Sequence, residues 1–445
     1  MVKMPHWPVP YGNKYVNFSL AAIQELLKAL DNPNQRLPPV IHVAGTNGKG
    51  STLAYLKAIF ESAGYAAHRY TSPHLVRFNE RITIAGQEID DVLLYQLTEE
   101  CRLVAQDLQV TFFEGTTAVA LLAFSKFTAD VVLLETGMGG RLDATNVIDH
   151  PQLTIITPIA LDHTEYLGTT LRQIAIEKAG IIKRGCPCII SWQPEEAMYA
   201  LIEKCEEMGA PYFAWGKKWH FEREGEGMKL RIILPANYNS DLISSSSHIA
   251  ELHLPSPSLV GLHQFVNAAT AAVAALHLSY LRYSKITLNC ITEGITRAVW
   301  PARMQKITNG ILYDMLPQEV ELWLDGAHNV AGAEMLAASI RYMMSEKPLY
   351  LINGRTKKRD IKGFLQIFAD LAKAVCCIEV KSEPLAEKAE NIYKCAIELG
   401  FKAFLCDTLH EAVLRCLEDS GQVPCRILIC GSLYLAGDVL AANQG

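Results

Sequence analysis

The sequence lacks any apolar run long enough to cross a membrane and any excess of positive charge. No window approaches the roughly 18 consecutive apolar residues that a transmembrane helix needs, and residues 1–15 lack the apolar core of a signal peptide. With 41 Lys and Arg against 47 Asp and Glu, the formal net charge is −6, which argues against a general nucleic-acid binder. We therefore expect a cytoplasmic protein without nucleic-acid or membrane partners, in which an anionic substrate needs a local cluster of basic groups.

Cysteine pairs with the spacing of zinc or redox sites are also missing. The 12 cysteines are sparse among 445 residues, and none has the C-x-x-C spacing that is typical of zinc and redox sites. Cys186 and Cys188 are separated by one residue, and Cys376 is followed directly by Cys377. We expect reduced thiols that pack as small hydrophobic groups in a reducing compartment.

Short apolar runs alternate with longer helical patterns through most of the chain. Runs at 40–44, 131–134, 153–157 and 187–190 contain too few polar residues for a strand with one wet face. Such strands, separated by helices, predict an α/β fold with a doubly wound, mostly parallel sheet. The length predicts more than one domain.

A second α/β series follows Trp300, with strands expected at 321–324, 349–352, 374–379 and 426–429. We therefore predict a larger first α/β domain at residues 1–297 and a smaller C-terminal α/β domain at residues 298–445. Within the first domain, charged and Ser/Asn-rich stretches interrupt short β-like runs at about 219–258, which favours a β-rich insertion.

A glycine-rich turn separates the first strand from a helix, with the sequence Gly45-Thr-Asn-Gly-Lys-Gly-Ser51. Backbone N–H groups of such a turn bind phosphate, and Lys49 supplies a point charge for the β- and γ-phosphates. Two residues separate Gly45 from Gly48, and Gly50 replaces the Ser or Thr that follows Lys in the general P-loop pattern. A plain glycine-rich β–α turn is the alternative.

Candidate metal ligands stand at the ends of two later strands. Glu135 ends an apolar strand, and its carboxylate suits Mg²⁺. Gly137-Met-Gly-Gly140 lacks the spacing of a dinucleotide fingerprint, which argues against a dehydrogenase. His163 follows the next strand and is flanked by Asp162 and Glu165. From the residues alone, Lys178 is best interpreted as part of a surface salt bridge.

The phosphate turn, together with LDHTEYLG at 161–168 and EKAGIIK at 177–183, resembles the folylpolyglutamate synthase and dihydrofolate synthase family of the Mur ligase superfamily. The resemblance implies a P-loop ATPase domain followed by a Rossmann-like domain. It also implies an ATP-dependent ligase that joins a carboxylate to L-glutamate through an acyl phosphate. Two Mg²⁺ ions would be held by Ser72, Glu135, His163 and a carbamylated Lys178.

Further motifs extend the resemblance over residues 40–437. Residues 261–268 match GxHQxxNA, 300–303 resemble WPGR with Ala302 in place of glycine, 325–329 match DGAHN and 431–435 match GSLYL. The resemblance implies that Lys49, Lys178, His163 and Arg303 act in catalysis. It implies ATP contacts from Asn47, Gly48, Lys49, Gly50, Ser51, Asn267, Arg303, Asp325 and His328. At 354–360, basic residues replace a more acidic family pattern.

The expected substrates are ATP, L-glutamate, dihydropteroate and reduced folates. The resemblance to bifunctional bacterial enzymes implies a dihydropteroate site lined by Thr111, Phe112, Phe113, Asp143, Ala144, Thr145, Phe18 and Ser19. Core packing is the alternative for the two phenylalanines.

Other functions stay open. They are a folylpolyglutamate synthase alone, a Mur-type ligase for a cell-wall precursor and a non-catalytic nucleotide-binding module. The joint presence of Lys49, Ser72, Glu135, His163 and Lys178 argues against the last. No heptad pattern calls for a partner subunit, so we expect a monomer.

Overall fold

The structure is a computed structural model, and it describes residues 6–8, 19–106, 108–233, 249–343, 347–421 and 423–443. The chain divides into two compact units. The first comprises Met1–Ser258 and Gln264–Val299, and the second comprises Leu259–His263 and Trp300–Gly445.

An eight-stranded sheet forms the centre of the first unit, in the order β4-β3-β2-β5-β1-β6-β7-β8. Its strands are β1 (Val40–Ala44), β2 (Ala67–Tyr70), β3 (Ile82–Ile84), β4 (Gln87–Glu88), β5 (Val131–Glu135), β6 (Leu153–Ile156), β7 (Cys188–Ile190) and β8 (Tyr212–Ala214). The six strands from β2 to β8 in this order are parallel, whereas β3 and β4 pair antiparallel at one edge. Every residue of β1 and β5 is buried, so both faces of the sheet are covered, as expected for a doubly wound fold.

Helices separate most consecutive strands of the central sheet, as predicted, although β3 and β4, and likewise β5 and β6, follow each other directly. The helices of the first unit are α1 (Ala21–Ala29), α2 (Lys49–Ser62), α3 (Asp91–Ala105), α4 (Phe112–Lys126), α5 (Thr164–Leu167), α6 (Leu171–Ala179), α7 (Glu195–Glu207), α8 (Leu262–Leu281) and α9 (Leu288–Arg297). The first two residues of α8 belong to the second unit. Two short 3-10 helices lie at Pro33–Gln35 and Phe78–Arg81. One core packs α1, α3 and α4 against β2 and β5, and another packs α6 and α7 against β6 and β7.

A separate antiparallel sheet lies within the interval 219–258. It contains β9 (Trp219–Glu224), β10 (Gly227–Ile233) and β11 (Ile249–Leu254). Burial alternates along β11, which is the pattern of a sheet with one covered face.

The second unit contains a six-stranded sheet in the order β12-β13-β17-β14-β15-β16. Its strands are β12 (Gln305–Ile307), β13 (Glu321–Leu324), β14 (Leu349–Asn353), β15 (Ala372–Cys377), β16 (Lys402–Leu405) and β17 (Arg426–Cys430). Its helices are α10 (Ile311–Asp314), α11 (Val330–Tyr342), α12 (Ile361–Gln366), α13 (Ala389–Glu398), α14 (Leu409–Asp419) and α15 (Leu433–Asn443). All pairs are parallel except β12 with β13.

All twelve cysteines are free thiols, and eleven of them are buried, the exception being the half-buried Cys395. In the part of the chain that the structure describes, no helix has the length and hydrophobicity needed to cross a membrane.

Candidate active site

The glycine turn after β1 admits no side chain at its two bends. Gly45 has φ +151° and Gly48 has φ +87°, and a Cβ at Gly45 would lie 1.8 Å from Thr157 Oγ1. A Cβ at Gly48 would lie 2.3 Å from Asn267 Oδ1. Helix α2 begins at Lys49 directly after the turn, so its first N–H groups are available to an anion.

Lys49 links this turn to the carboxylate of Glu135. Its Nζ donates to the carbonyl oxygens of Gly45 and Thr46, both at 3.3 Å, and lies 3.9 Å from Glu135 Oε1. The register of the sheet explains this proximity, because β1 pairs in parallel with β5 and Val43 lies beside Glu135. Glu135 is buried, with 5% of its surface exposed.

Ser72 joins the same edge of the sheet, since β2 is the other neighbour of β5. Its backbone N–H donates to Glu135 Oε2 at 3.3 Å. Among the described residues, no group of three or more His, Cys, Asp and Glu side chains forms a dense metal cluster. A single carboxylate beside a serine suits Mg²⁺, which commonly uses one or two protein carboxylates and completes its coordination with water and phosphate oxygens.

His163 is placed by the segment that follows β6. Thr46 Oγ1 donates to the carbonyl of Ala160 at 3.1 Å and accepts from its N–H at 3.1 Å, which ties this segment to the phosphate turn. Asp162 Oδ1 accepts the N–H of His163 at 2.9 Å. His163 has φ +50° and precedes α5. Its role as a metal ligand stays a prediction.

Lys178 is buried, with 4% of its surface exposed, so its interpretation as part of a surface salt bridge was wrong. Its Nζ donates to the carbonyl oxygen of Gly45 at 2.8 Å. Burial, and secondarily the charge of Lys49, lowers the pKa of Lys178 from 10.5 to about 7, although Asp143 opposes the shift. An amine that is partly neutral near pH 7 can react with CO₂, whereas an ammonium cannot. Carbamylation itself stays a prediction.

Asp143, expected in the dihydropteroate site, which we also call the pterin pocket, is buried and holds the loop after β5. Its Oδ2 accepts the N–H of Met138 at 2.8 Å, and its Oδ1 accepts the N–H and the hydroxyl of Thr145 at 3.0 and 2.5 Å. Burial raises the pKa of Asp143, and these hydrogen bonds oppose the shift. Ala144 and Thr145 are buried as well. Direct contact of these three residues with a substrate stays a prediction.

Phe112 and Phe113, which form the aromatic wall of the predicted dihydropteroate site, lie at the start of α4. Thr111 caps this helix by accepting the N–H of Glu114 at 3.2 Å. Phe112 and Phe113 are half-buried and pack against the neighbouring core. A Cβ at Gly137 would lie 2.4 Å from Phe113 Cζ, so this ring covers the loop that follows Glu135. Core packing accounts for part of each ring, and their exposed parts remain available to a ligand.

The N-terminal part of the predicted pocket is only partly described. Ser19 Oγ accepts the N–H of Ala21 at 3.1 Å, next to the start of α1. Phe18 lies outside the described residues.

Asn267 is held against the phosphate turn by a side chain that the site prediction did not include. Its Nδ2 donates to Gln264 Oε1 at 3.0 Å, and Gln264 Nε2 donates to Ser51 Oγ at 3.4 Å. Gln264 lies within the GxHQxxNA motif, so the motif carried the signal for this residue. Thr157, whose side chain packs against Gly45, was not predicted as a site residue. It belongs to no motif, and only the pairing of β1 with β6 brings it next to Gly45.

The predicted residues of the second unit gather at the carboxyl end of β13. Asp325 accepts the N–H of Met304 and that of Ala327, both at 2.7 Å. Arg303 Nη1 donates to the carbonyl of Ala302 at 2.8 Å, and the Nδ1 of His328 lies 3.0 Å from the carbonyl oxygen of Gly326. Ala302, which replaces the glycine of WPGR, has φ +56°, a left-handed conformation that favours glycine.

Two family models match the chain. The Mur ligase middle domain matches residues 43–275, and the C-terminal domain of dihydrofolate synthetase matches residues 310–442. A dihydrofolate synthase/folylpolyglutamate synthase from Bacillus subtilis is 31% identical over 427 residues, which cover 94% of each chain. The chain belongs to the dihydrofolate synthase and folylpolyglutamate synthase family of Mur ligases. It is an ATP-dependent ligase, so the expected family and enzyme class are confirmed.

Solved structures agree with this assignment. The Escherichia coli FolC structure in complex with DHPP and ADP has a TM-score of 0.81 and 30% identity, covering 96% of this chain and 94% of that one. A bifunctional enzyme from Yersinia pestis, complexed with AMPPNP and Mn ion, has a TM-score of 0.81 and 28% identity, covering 98% and 95%. The predicted two-part α/β fold is thereby confirmed.

Proposed function

We propose that this ligase adds L-glutamate both to dihydropteroate and to reduced folates that already carry glutamate. The observation that carries the proposal is the placement of Lys49 Nζ 3.9 Å from a buried Glu135 carboxylate, which accepts the N–H of Ser72. The sequence similarity to the Bacillus subtilis enzyme over 94% of the chain supports the substrate class.

The reaction begins when a substrate carboxylate oxygen attacks the γ-phosphorus of ATP, so that ADP leaves and an acyl phosphate forms. The amine of L-glutamate then attacks the acyl carbon, and phosphate leaves as the amide forms. The turn at 45–51 binds the ATP phosphates through backbone N–H groups, and Lys49 offsets charge on the transferring oxygens. Asn267 is a further proposed nucleotide contact of the first unit, and Arg303, Asp325 and His328 are the nucleotide contacts proposed for the second unit.

Ser72, Glu135 and His163 are the proposed ligands of Mg²⁺, with Lys178 as a further ligand once carbamylated. Bound Mg²⁺ supplies positive charge that stabilises the transferring phosphoryl group. A carbamate on Lys178 replaces a cation beside Lys49 with an anion, so the same pocket would accept a second divalent ion. The lowered pKa of Lys178 supports this modification.

We further propose that the protein acts as a monomer in the cytoplasm. Twelve free thiols, eleven of them buried, are in keeping with a reducing compartment.

ADP release tests the proposed function. Purified protein is supplied with ATP, Mg²⁺ and L-glutamate, and with dihydropteroate or tetrahydrofolate monoglutamate. We expect ADP release with each acceptor and a product heavier by one glutamyl residue. Activity with tetrahydrofolate alone would restrict the protein to folylpolyglutamate synthesis. If neither acceptor causes ADP release but a UDP-linked peptide does, the protein would be assigned to cell-wall synthesis. If none of these substrates causes ADP release, a nucleotide-binding module would be favoured.

A further inference from the structure

Arg81 is a buried cation fixed in one orientation at the end of the 3-10 helix Phe78–Arg81. It is 7% exposed, and its Nε donates to His74 Nδ1 at 2.8 Å. Its guanidinium carbon lies 5.4 Å from the ring centroid of Phe78 and 5.6 Å from that of Phe112. Two aromatic rings and one hydrogen bond therefore hold the planar group.

No anion balances this charge among the described residues. Arg81 forms no ion pair with the described residues. His74 accepts a hydrogen bond from Arg81 at Nδ1, but an imidazole carries no negative charge and is not an anionic partner. The neighbouring Glu80 is occupied by the N–H groups of Leu75, Val76 and Arg77 at 2.6–2.8 Å. A buried charge without a counter-ion is costly, so structural packing alone gives little reason for a guanidinium here.

The remaining donors of Arg81 are open to a ligand. In the part of the chain that the structure describes, some buried arginine nitrogens lack both solvent access and a hydrogen-bond partner, as Nε and Nη1 of Arg355 do. No nitrogen of Arg81 lacks both. Among the described residues, only Nε of Arg81 has a hydrogen-bond partner, and neither Nη group is sealed in the interior, so both keep access to solvent. They leave four N–H donors in a geometry that matches a carboxylate.

Arg81 lies close to residues of both the proposed metal site and the predicted pterin pocket. Its carbonyl accepts the N–H of Thr71 at 3.0 Å, and Thr71 precedes Ser72, whose N–H donates to Glu135. On its other side the guanidinium lies against Phe112, from the predicted pterin pocket. Arg81 therefore lies between the proposed metal-binding serine and the aromatic wall.

The two proposed acceptors differ in the number of carboxylates that they carry at the reacting end. Dihydropteroate carries one carboxylate, which is consumed when the acyl phosphate forms. A folate that ends in glutamate carries two carboxylates on that residue, and one of them keeps its charge throughout the reaction. A fixed guanidinium between the proposed metal-binding serine and Phe112 suits this spare carboxylate.

We propose that Arg81 binds the unreacted carboxylate of acceptors that already carry glutamate, and so determines the second of the two activities. This inference rests on the proposed function, because it concerns the choice between its two acceptors. His74 is then a positioning residue that orients the guanidinium.

Steady-state kinetics of Arg81→Met and Arg81→Lys test the proposal. In Arg81→Met we expect KM for tetrahydrofolate monoglutamate to rise at least about tenfold, as for a lost charge-assisted pair. We expect KM for ATP and for dihydropteroate to stay within about threefold of wild type, and Arg81→Lys to recover part of the loss. The matched control is Arg77→Met, which removes an exposed arginine paired with Asp91 at 3.1 Å and should leave both acceptors unaffected.

A substrate variant keeps the proposal testable if Arg81→Met does not fold. Tetrahydropteroyl-4-aminobutyrate retains the reacting carboxylate and lacks the other one. We expect the wild-type enzyme to bind it at least about tenfold more weakly than tetrahydrofolate monoglutamate, and foldable Arg81 variants to discriminate less. Equal binding of the two by wild type, or equal losses for both natural acceptors in Arg81→Met, would overturn the inference. A wild-type protein that uses neither acceptor would instead overturn the proposed function.

Discussion

Lys178 Nζ donates a hydrogen bond to the carbonyl oxygen of Gly45 at 2.8 Å, and Lys49 Nζ lies 3.3 Å from the same oxygen. Two amines thus meet at one carbonyl of the phosphate turn. Lys178 is buried, with 4% of its surface exposed, and this burial is the main reason why its pKa falls to about 7. Burial at this contact makes Lys178 a titrating group near neutral pH.

Lys178 should make the stability of the protein depend on pH. The unfolded chain holds this proton up to pH 10.5, whereas the folded protein releases it above about pH 7. Between these values the unfolded state binds more protons, so the free energy of unfolding should rise with pH. Denaturant unfolding of wild type and Lys178→Met in CO₂-depleted buffer measures the difference, and parallel pH profiles would contradict the prediction.

Carbamylation of Lys178 should be directly observable. With ¹³C-labelled bicarbonate, wild type should show a carbamate carbon in its NMR spectrum that Lys178→Met lacks. The signal should weaken as the pH falls below about 7, because the amine is then protonated. An unchanged spectrum in Lys178→Met would assign the carbamate to another amine.

Lys49→Ala should lower turnover by about 10²-fold or more, since it removes a cation from the transferring phosphate. ADP release at saturating substrates measures the loss. Lys57→Ala is the matched control on the same helix, because Lys57 pairs with Glu61 at 2.6 Å instead of Glu135. Near-normal turnover in Lys49→Ala would contradict the role of this lysine.

Gly45→Ala should abolish ATP-dependent activity, because the added Cβ would meet Thr157 Oγ1 at 1.8 Å. Gly64→Ala is a suitable control. Gly64 also has a positive φ, of +72°, but a Cβ there would meet nothing within 4 Å. That variant should cost about 1–2 kcal/mol of stability and retain its activity. Similar activity in the two variants would show that crowding at the turn is unimportant.

Ala302→Gly should stabilise the second unit by roughly 0.5–1 kcal/mol, because glycine adopts φ +56° without the cost that a Cβ imposes. The midpoint of denaturant unfolding measures the effect. Ala298→Gly, at φ −59°, should be destabilising instead. A lower midpoint for Ala302→Gly would mean that the alanine methyl contributes more through packing than it costs in conformation.

Buried strands and their carboxyl ends were predictable from the sequence. The runs at 40–44 and 321–324 are β1 and β13 with the predicted bounds, since continuous apolar runs are typical of strands covered on both faces. The short strands β3, β4 and β12 at the margins of the two sheets were not predicted. They have two or three residues each, too few to show a period.

Contacts between distant segments of the chain could not be predicted from the sequence. The partner of Lys178 is the carbonyl of Gly45, 133 residues away in the chain, so the periodicity of α6 gave no sign that this lysine is buried. That Asp143 contacts a substrate stays a prediction, and nothing in the sequence indicated its hydrogen bonds to Met138 and Thr145, which are close in sequence. Which atoms a loop carboxylate contacts depends on how the loop folds, and residue type alone does not specify it.

The acyl phosphate is the central claim, and transfer of oxygen from the acceptor tests it most directly. An acceptor labelled with ¹⁸O in its reacting carboxylate is converted with ATP and L-glutamate, and the released phosphate is analysed by mass spectrometry. We predict one ¹⁸O atom in the phosphate for each amide bond formed, because a carboxylate oxygen bonds to the γ-phosphorus and leaves with it. Unlabelled phosphate accompanying normal amide formation would contradict the account.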